Sequence, residues 1–224
     1  MLLDAIGESL PMAVGAALSP LPVAAGVSIL LSARPGNAFP FLVGWVAGII
    51  VVSLVVFKIP GLETARGDPA AAAGWVRVVF GGALLVMAGR KFKRRPAADV
   101  AVEPPKVLAG LDTNGFGKSI VLGFVFSAIN PKNLILTFGG AASIHAKADT
   151  PAHMATALVV YTLIASASVI FPIVGYYGFA RKVRPALRSL KDWLVHHHQA
   201  VGVVLLIVFG ALLIGNGLEI LAEY

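Results

Sequence analysis

The chain has 224 residues, of which 58% are hydrophobic and only 13% charged, against about 25% charged in ordinary soluble domains, so it belongs among integral membrane proteins. It has no cysteine, which excludes disulfides, thiol redox chemistry, a cysteine nucleophile and thiolate metal sites. Its net charge of +7 lies in short stretches between apolar segments, as membrane topology demands, so no nucleic-acid partner is expected.

Six apolar segments are each long enough to supply the roughly 20 helical residues that cross a hydrocarbon core of about 30 Å. They fall near 9–33, 39–58, 74–92, 116–144, 152–180 and 200–222. The first follows Asp4 and Glu8 rather than a basic stretch and is longer than the apolar core of a signal peptide, so it reads as a retained helix.

Lysine and arginine set the orientation. Arg34 follows the first segment, and the run Arg90-Lys91-Phe92-Lys93-Arg94-Arg95 with Lys106 and Lys118 follows the third. Arg181, Lys182, Arg184, Arg188 and Lys191 follow the fifth. These three connections are expected in the cytoplasm, which makes the chain a multi-pass protein of the inner (plasma) membrane with both termini outside. The stretch 93–114, rich in Pro, Ala and charge, reads as a cytoplasmic linker within one membrane domain, joining halves of about 1–92 and 115–224. Residues 183–195 combine apolar positions at helical spacing with a basic face, which suits a helix lying on the inner leaflet. The run His196-His197-His198 reads as the solvated end of that helix rather than as a metal site, since no carboxylate accompanies it.

Two motifs interrupt the apolar pattern. Leu18-Ser19-Pro20-Leu21-Pro22 in the first segment and Ile129-Asn130-Pro131-Lys132-Asn133 in the fourth each place a polar residue before a proline near mid-span. An odd number of spans per half forces the halves into opposite orientations. The expected fold is therefore all-α: six transmembrane helices in two inverted three-helix repeats, with helices 1 and 4 broken. Proline removes a backbone donor and frees carbonyls, which in lipid must be met by side chains such as Ser19 and Asn130 or by water.

A lysine at mid-helix costs about 2.5–3.5 kcal/mol on insertion scales. No Asp or Glu lies deep in any segment, Glu8 and Glu219 being near the ends, so the Lys132 ammonium is expected to meet an anionic group that arrives with a substrate. The bland alternative is a pair of packing kinks with Lys132 snorkelling to the interface. The candidate binding residues are Ser19, Pro20, Pro22, Asn130, Pro131, Lys132 and Asn133. No catalytic constellation or nucleotide motif is present, so neither enzymatic activity nor a cofactor is expected. Small-residue patterns such as Gly44-Trp45-Val46-Ala47-Gly48 and Gly139-Gly140-Ala141-Ala142-Ser143 suit either internal packing or a homodimer.

With its Ser-Pro-Leu-Pro start, the stretch Gly82-Ala83-Leu84-Leu85-Val86-Met87-Ala88-Gly89-Arg90 and the Asn130-Pro131-Lys132 motif, the chain resembles the LysE exporter superfamily. The long Pro-rich central loop and the phrase Ala128-Ile129-Asn130-Pro131-Lys132-Asn133-Leu134 look most like its GAP or Sap branch, the peptidoglycolipid- and sulfolipid-addressing proteins. That resemblance implies movement of cell-envelope glycolipids or their precursors toward the outside. It also implies Pro20, Pro22, Asn130, Pro131 and Lys132 as functional positions. The expected function is export of an anionic amphipathic substrate. One alternative is a LysE-like exporter of amino acids or small zwitterions; another, of a different class, is a non-transporting accessory subunit of a lipid-export machinery.

Overall fold

The computed structural model describes residues 1–59, 68–93, 111 and 115–222, and every regular element among them is helical. Helix α1 (Leu2–Ala17) meets α2 (Pro20–Leu31) at a bend of 56°. A 3-10 turn at Pro35–Asn37 leads into α3 (Ala38–Val56), and α4 (Asp68–Lys93) follows. Helix α5 (Phe116–Phe124) continues through a π-helical turn, Val125–Ile129, and meets α6 (Pro131–Lys147) at a bend of 65°. The last helix, α7, runs from Pro151 to Ala222. The linker expected at 93–114 lies outside the described residues except for Lys93 and Leu111.

The fifth and sixth apolar segments and the stretch 183–195 between them all lie on α7, interrupted at Phe179, where the backbone leaves helical values (φ −143°, ψ 45°). The chain folds back there. Residues eight apart on a straight helix are separated by about 12 Å along its axis, yet a Cβ at Gly175 would lie 3.6 Å from Val183. The connecting stretch is helical because its apolar residues recur at helical spacing and have something to cover: Leu194 and Val195 are buried against Val23 and Ala24 of α2. Arg184 and Arg188 stay exposed.

Among the described residues, Pro35–Val56 and α7 are each long and apolar enough to cross a bilayer, and each bent pair adds a further crossing length. Large apolar side chains such as Val43, Val51 and Val55 on α3 and Val204 and Val208 on α7 stand exposed. Apolar helices with outward-facing aliphatic surfaces mark a membrane protein, since in water such surfaces would drive association.

Glycines set how closely the helices approach. A Cβ at Gly44 of α3 would overlap the Ile120 carbonyl of α5, and one at Gly123 would overlap the Phe41 carbonyl, so this crossing is in backbone contact. Helices α4 and α7 meet along a second seam. A Cβ at Gly81 would lie 2.6 Å from the Gly210 carbonyl, and one at Gly210 3.0 Å from the Gly81 carbonyl. Gly74 and Gly217 repeat the reciprocal contact at 3.0 and 2.7 Å. Numbers rise on one helix as they fall on the other, so the pair is antiparallel, with glycines about two turns apart on each.

Candidate functional site

The break between α1 and α2 follows from two prolines. In a continuous helix the Ala16 and Leu18 carbonyls would accept from the N–H groups four residues on, positions occupied by Pro20 and Pro22, which have none. Ser19 N, the ordinary partner of the Gly15 carbonyl, turns instead to the Ala17 carbonyl at 2.8 Å. Carbonyls are left at the negative end of the α1 dipole. Lys132 meets them: its Nζ donates to the Gly15 carbonyl at 2.7 Å, to the Leu18 carbonyl at 3.0 Å and to Ser19 Oγ at 2.8 Å. An ammonium has three N–H donors, and all three are engaged. Ser168 Oγ of α7 donates to the Ala17 carbonyl at 2.6 Å.

The second break is mended by the same turn of α6. Asn130 N reaches the Val125 carbonyl at 2.9 Å in the π-helical pattern, which leaves the Phe126 carbonyl without its usual donor. Asn133 Nδ2 supplies one at 2.8 Å. Asn133 Oδ1 accepts from Ser19 Oγ at 2.7 Å, which ties the two breaks together. Asn130 caps its own helix, its side chain accepting from Lys132 N at 3.1 Å, and Pro131 follows at the first helical position, where a missing N–H does no harm. Asn130, Pro131, Lys132 and Asn133 thus have four distinct local jobs. Ser19, Lys132 and Asn133 form one hydrogen-bonded group. Pro22 frees the Leu18 carbonyl that Lys132 meets, and Pro20 frees that of Ala16.

Beside this junction lies a cavity of about 540 Å³. Ser19, Pro20, Pro22, Asn130 and Lys132 form one side of it. Arg90 and Lys91 at the end of α4, with His198, Gln199 and Gly202 of α7, form another. Among the described residues, Arg90, Lys91 and Lys132 are the cationic side chains that line the cavity, and no Asp or Glu lines it. Asn133 and Pro131 are not among the lining residues; Asn133 is 1% exposed, beneath the surface of the junction.

A protein-family model described as Sap, sulfolipid-1-addressing protein, matches residues 10–219, a range that includes both helix breaks and every residue lining the cavity. The chain belongs to the Sap family. Neither the curated proteins nor the solved structures yield a match.

In this Sap-family protein the cavity wall formed by Arg90, Lys91, His198, Gln199 and Gly202 was not among the residues expected from sequence. Arg90 and Lys91 read as the start of a basic loop, and the histidine run as solvated. The structure agrees for His196 and His197, which are exposed, and differs for His198, which is 9% exposed and lines the cavity. The available signal was helical periodicity: continuing the 183–195 pattern puts His198 on the face of Leu187, Leu194 and Val195, at steps of seven, four and three residues.

Proposed function

We propose that this Sap-family protein is an exporter that moves an anionic amphipathic lipid, a cell-envelope glycolipid or its precursor, across the inner membrane. The observation that carries the reading is the cavity at the junction of two broken helices, lined among the described residues by Arg90, Lys91 and Lys132 and by no carboxylate. Its volume, about 540 Å³, is in the range of small-molecule sites and suits a polar head, while the apolar tails of such a lipid remain in the bilayer. The family's name, sulfolipid-1-addressing protein, points to the same chemistry.

An architecture of six crossings in two inverted repeats fits what is described. The bends fall at corresponding places in the two halves, α1 packs on α7 as α5 packs on α3, and the α4 and α7 glycines meet reciprocally. Arg90 and Lys91 lie on the side where lysine and arginine gather, so the cavity is reached from the cytoplasm and the chain's termini face outward. The same layout is what a LysE-like ancestry would leave. Energy comes from an ion gradient or from a partner machinery, since the sequence holds no phosphate-binding loop.

Export of a small zwitterion fits less well. Its ammonium needs an acceptor, and the Gly15 and Leu18 carbonyls that would serve are taken by Lys132. The accessory-subunit reading is favoured by the same fact, because a lysine whose donors are all engaged within the protein has a use without any ligand. Native mass spectrometry of the detergent-purified protein beside an Arg90→Gln, Lys91→Gln double variant separates the readings. An exporter of anionic lipids retains a bound anionic lipid that the variant loses; the same lipids on both would contradict the proposal.

A further inference from the structure

Away from the basic end of α4 the cavity is closed in layers, each about one helical turn beyond the last. Leu206 of α7 lines the cavity, and Phe209, three residues on, is buried with the tip of its ring against Gly15 of α1, where a Cβ would lie 2.6 Å from it. Gly15 is also the residue whose carbonyl Lys132 holds. A turn further, Leu213 of α7 and Met12 of α1, both buried, meet over Gly139 of α6, at 3.4 and 3.9 Å from where its Cβ would stand. Beyond this apolar plug the side chains are charged. Glu8 of α1 pairs with Lys147 of α6 at 2.8 Å, and the buried Arg77 of α4 donates to Ser143 Oγ of α6 at 3.4 Å. Lys147 stands about 22 Å along α6 from Lys132.

Two features set this closure apart from ordinary packing. Helices α1 and α6 both end at a break, and the breaks are tied to each other through Ser19, Lys132 and Asn133, so the two helices share a pivot beside the cavity. Their far ends are joined by an ion pair whose partners are 44% (Glu8) and 41% (Lys147) exposed, and pairs that water reaches are weak. Helices α4 and α7, by contrast, meet backbone to backbone along their glycines and offer a fixed frame to move against. We propose that the Glu8–Lys147 pair and the Phe209 ring seated on Gly15 form the outer gate of the cavity. The structure is then the state open to the cytoplasm. The head group leaves when α1 and α6 swing apart about the Lys132 junction, which separates Glu8 from Lys147 and unseats Phe209. Rocking of this kind around a fixed site is how secondary transporters change access. The inference rests on the reading that the cavity loads a lipid head from the cytoplasm, and it adds where that head departs.

The chain has no native cysteine, so the gate can be locked. Glu8→Cys with Lys147→Cys, joined by a short reducible bis-thiosulfonate reagent, is expected to stop the exchange of acyl-chain-labelled phosphatidylglycerol between leaflets of reconstituted vesicles. Binding of phosphatidylglycerol in native mass spectrometry should be unchanged, and exchange should return on reduction, which also shows that the variant is folded. A second measurement needs no transport. In intact cells, Met12→Cys should react with a membrane-impermeant maleimide about three- to fivefold faster when Lys147→Ala is added, the shift in opening that a water-accessible pair can supply. Ser53→Cys, equally enclosed on α3 and outside the gate, should stay unlabelled in both backgrounds. Exchange that continues in the cross-linked protein, or Met12→Cys labelling that Lys147→Ala does not raise, would overturn the gate and leave the transport reading standing. If the protein moves no phosphatidylglycerol before cross-linking, the transport reading fails, and the labelling alone decides the gate: a rise upholds it and no change overturns it too.

Discussion

Lys132 sits in an apolar helix because the break between α1 and α2, made by Pro20 and Pro22, leaves acceptors there without their helical donors. The Gly15 and Leu18 carbonyls and Ser19 Oγ receive its three N–H groups, so the ammonium replaces donors lost at the α1–α2 break. Removing it leaves carbonyls at the foot of α1 without a partner, each such loss costing about 1–3 kcal/mol when buried. Lys132→Met is therefore expected to lower stability by about 2–5 kcal/mol, read as a drop in thermal midpoint in detergent, whereas Arg90→Gln should leave the midpoint unchanged. Equal midpoints for Lys132→Met and wild type would show that the clasp contributes nothing and that Lys132 is free to act otherwise. The position of this group was legible in the sequence, since a lysine and two asparagines around a proline stand out against an apolar run. Its acceptors were not, because nothing local in 127–133 indicates which carbonyls more than 110 residues away the lysine meets.

Between α4 and α7 the packing depends on the absence of side chains. Gly81 and Gly210 meet each other's backbone, and Gly74 and Gly217 do the same two turns away. A side chain at Gly81 would have to push α7 outward and open the seam over its length. Gly81→Leu is expected to abolish recovery of monodisperse protein from detergent extracts, while Gly82→Ala, where a Cβ meets nothing within 4 Å, should be neutral or stabilising by up to about 1 kcal/mol. Normal recovery of Gly81→Leu would contradict the seam. Such glycines carry no message until the antiparallel pairing is known, because each helix alone shows several glycines and nothing in it says which of them meet a neighbour. The helix through 183–195 was legible from the helical spacing of its apolar residues; what the sequence hid is that a single non-helical residue, Phe179, suffices for the reversal that leads into it.

Across the whole molecule, the two broken helices are joined through Ser19, Lys132 and Asn133, and the cavity beside that junction carries cations contributed by α4 and α6. Composition and the placement of lysine and arginine were enough to read a helical membrane protein, because the bilayer penalises every unsatisfied backbone group and so permits few architectures. The cavity wall was not legible, because it is assembled from residues 90–91 and 198–202, which meet only once α7 has folded back. The central claim is that this assembly moves anionic lipids between leaflets. The most direct measurement is the rate at which acyl-chain-labelled phosphatidylglycerol and phosphatidylcholine change leaflets in vesicles reconstituted with the purified protein, followed by quenching of the outer-leaflet label. The account predicts that phosphatidylglycerol crosses several-fold faster than in protein-free vesicles, that phosphatidylcholine does not, and that Arg90→Gln with Lys91→Gln removes the difference. Phosphatidylglycerol crossing no faster with the protein than without it would contradict transport by this chain alone.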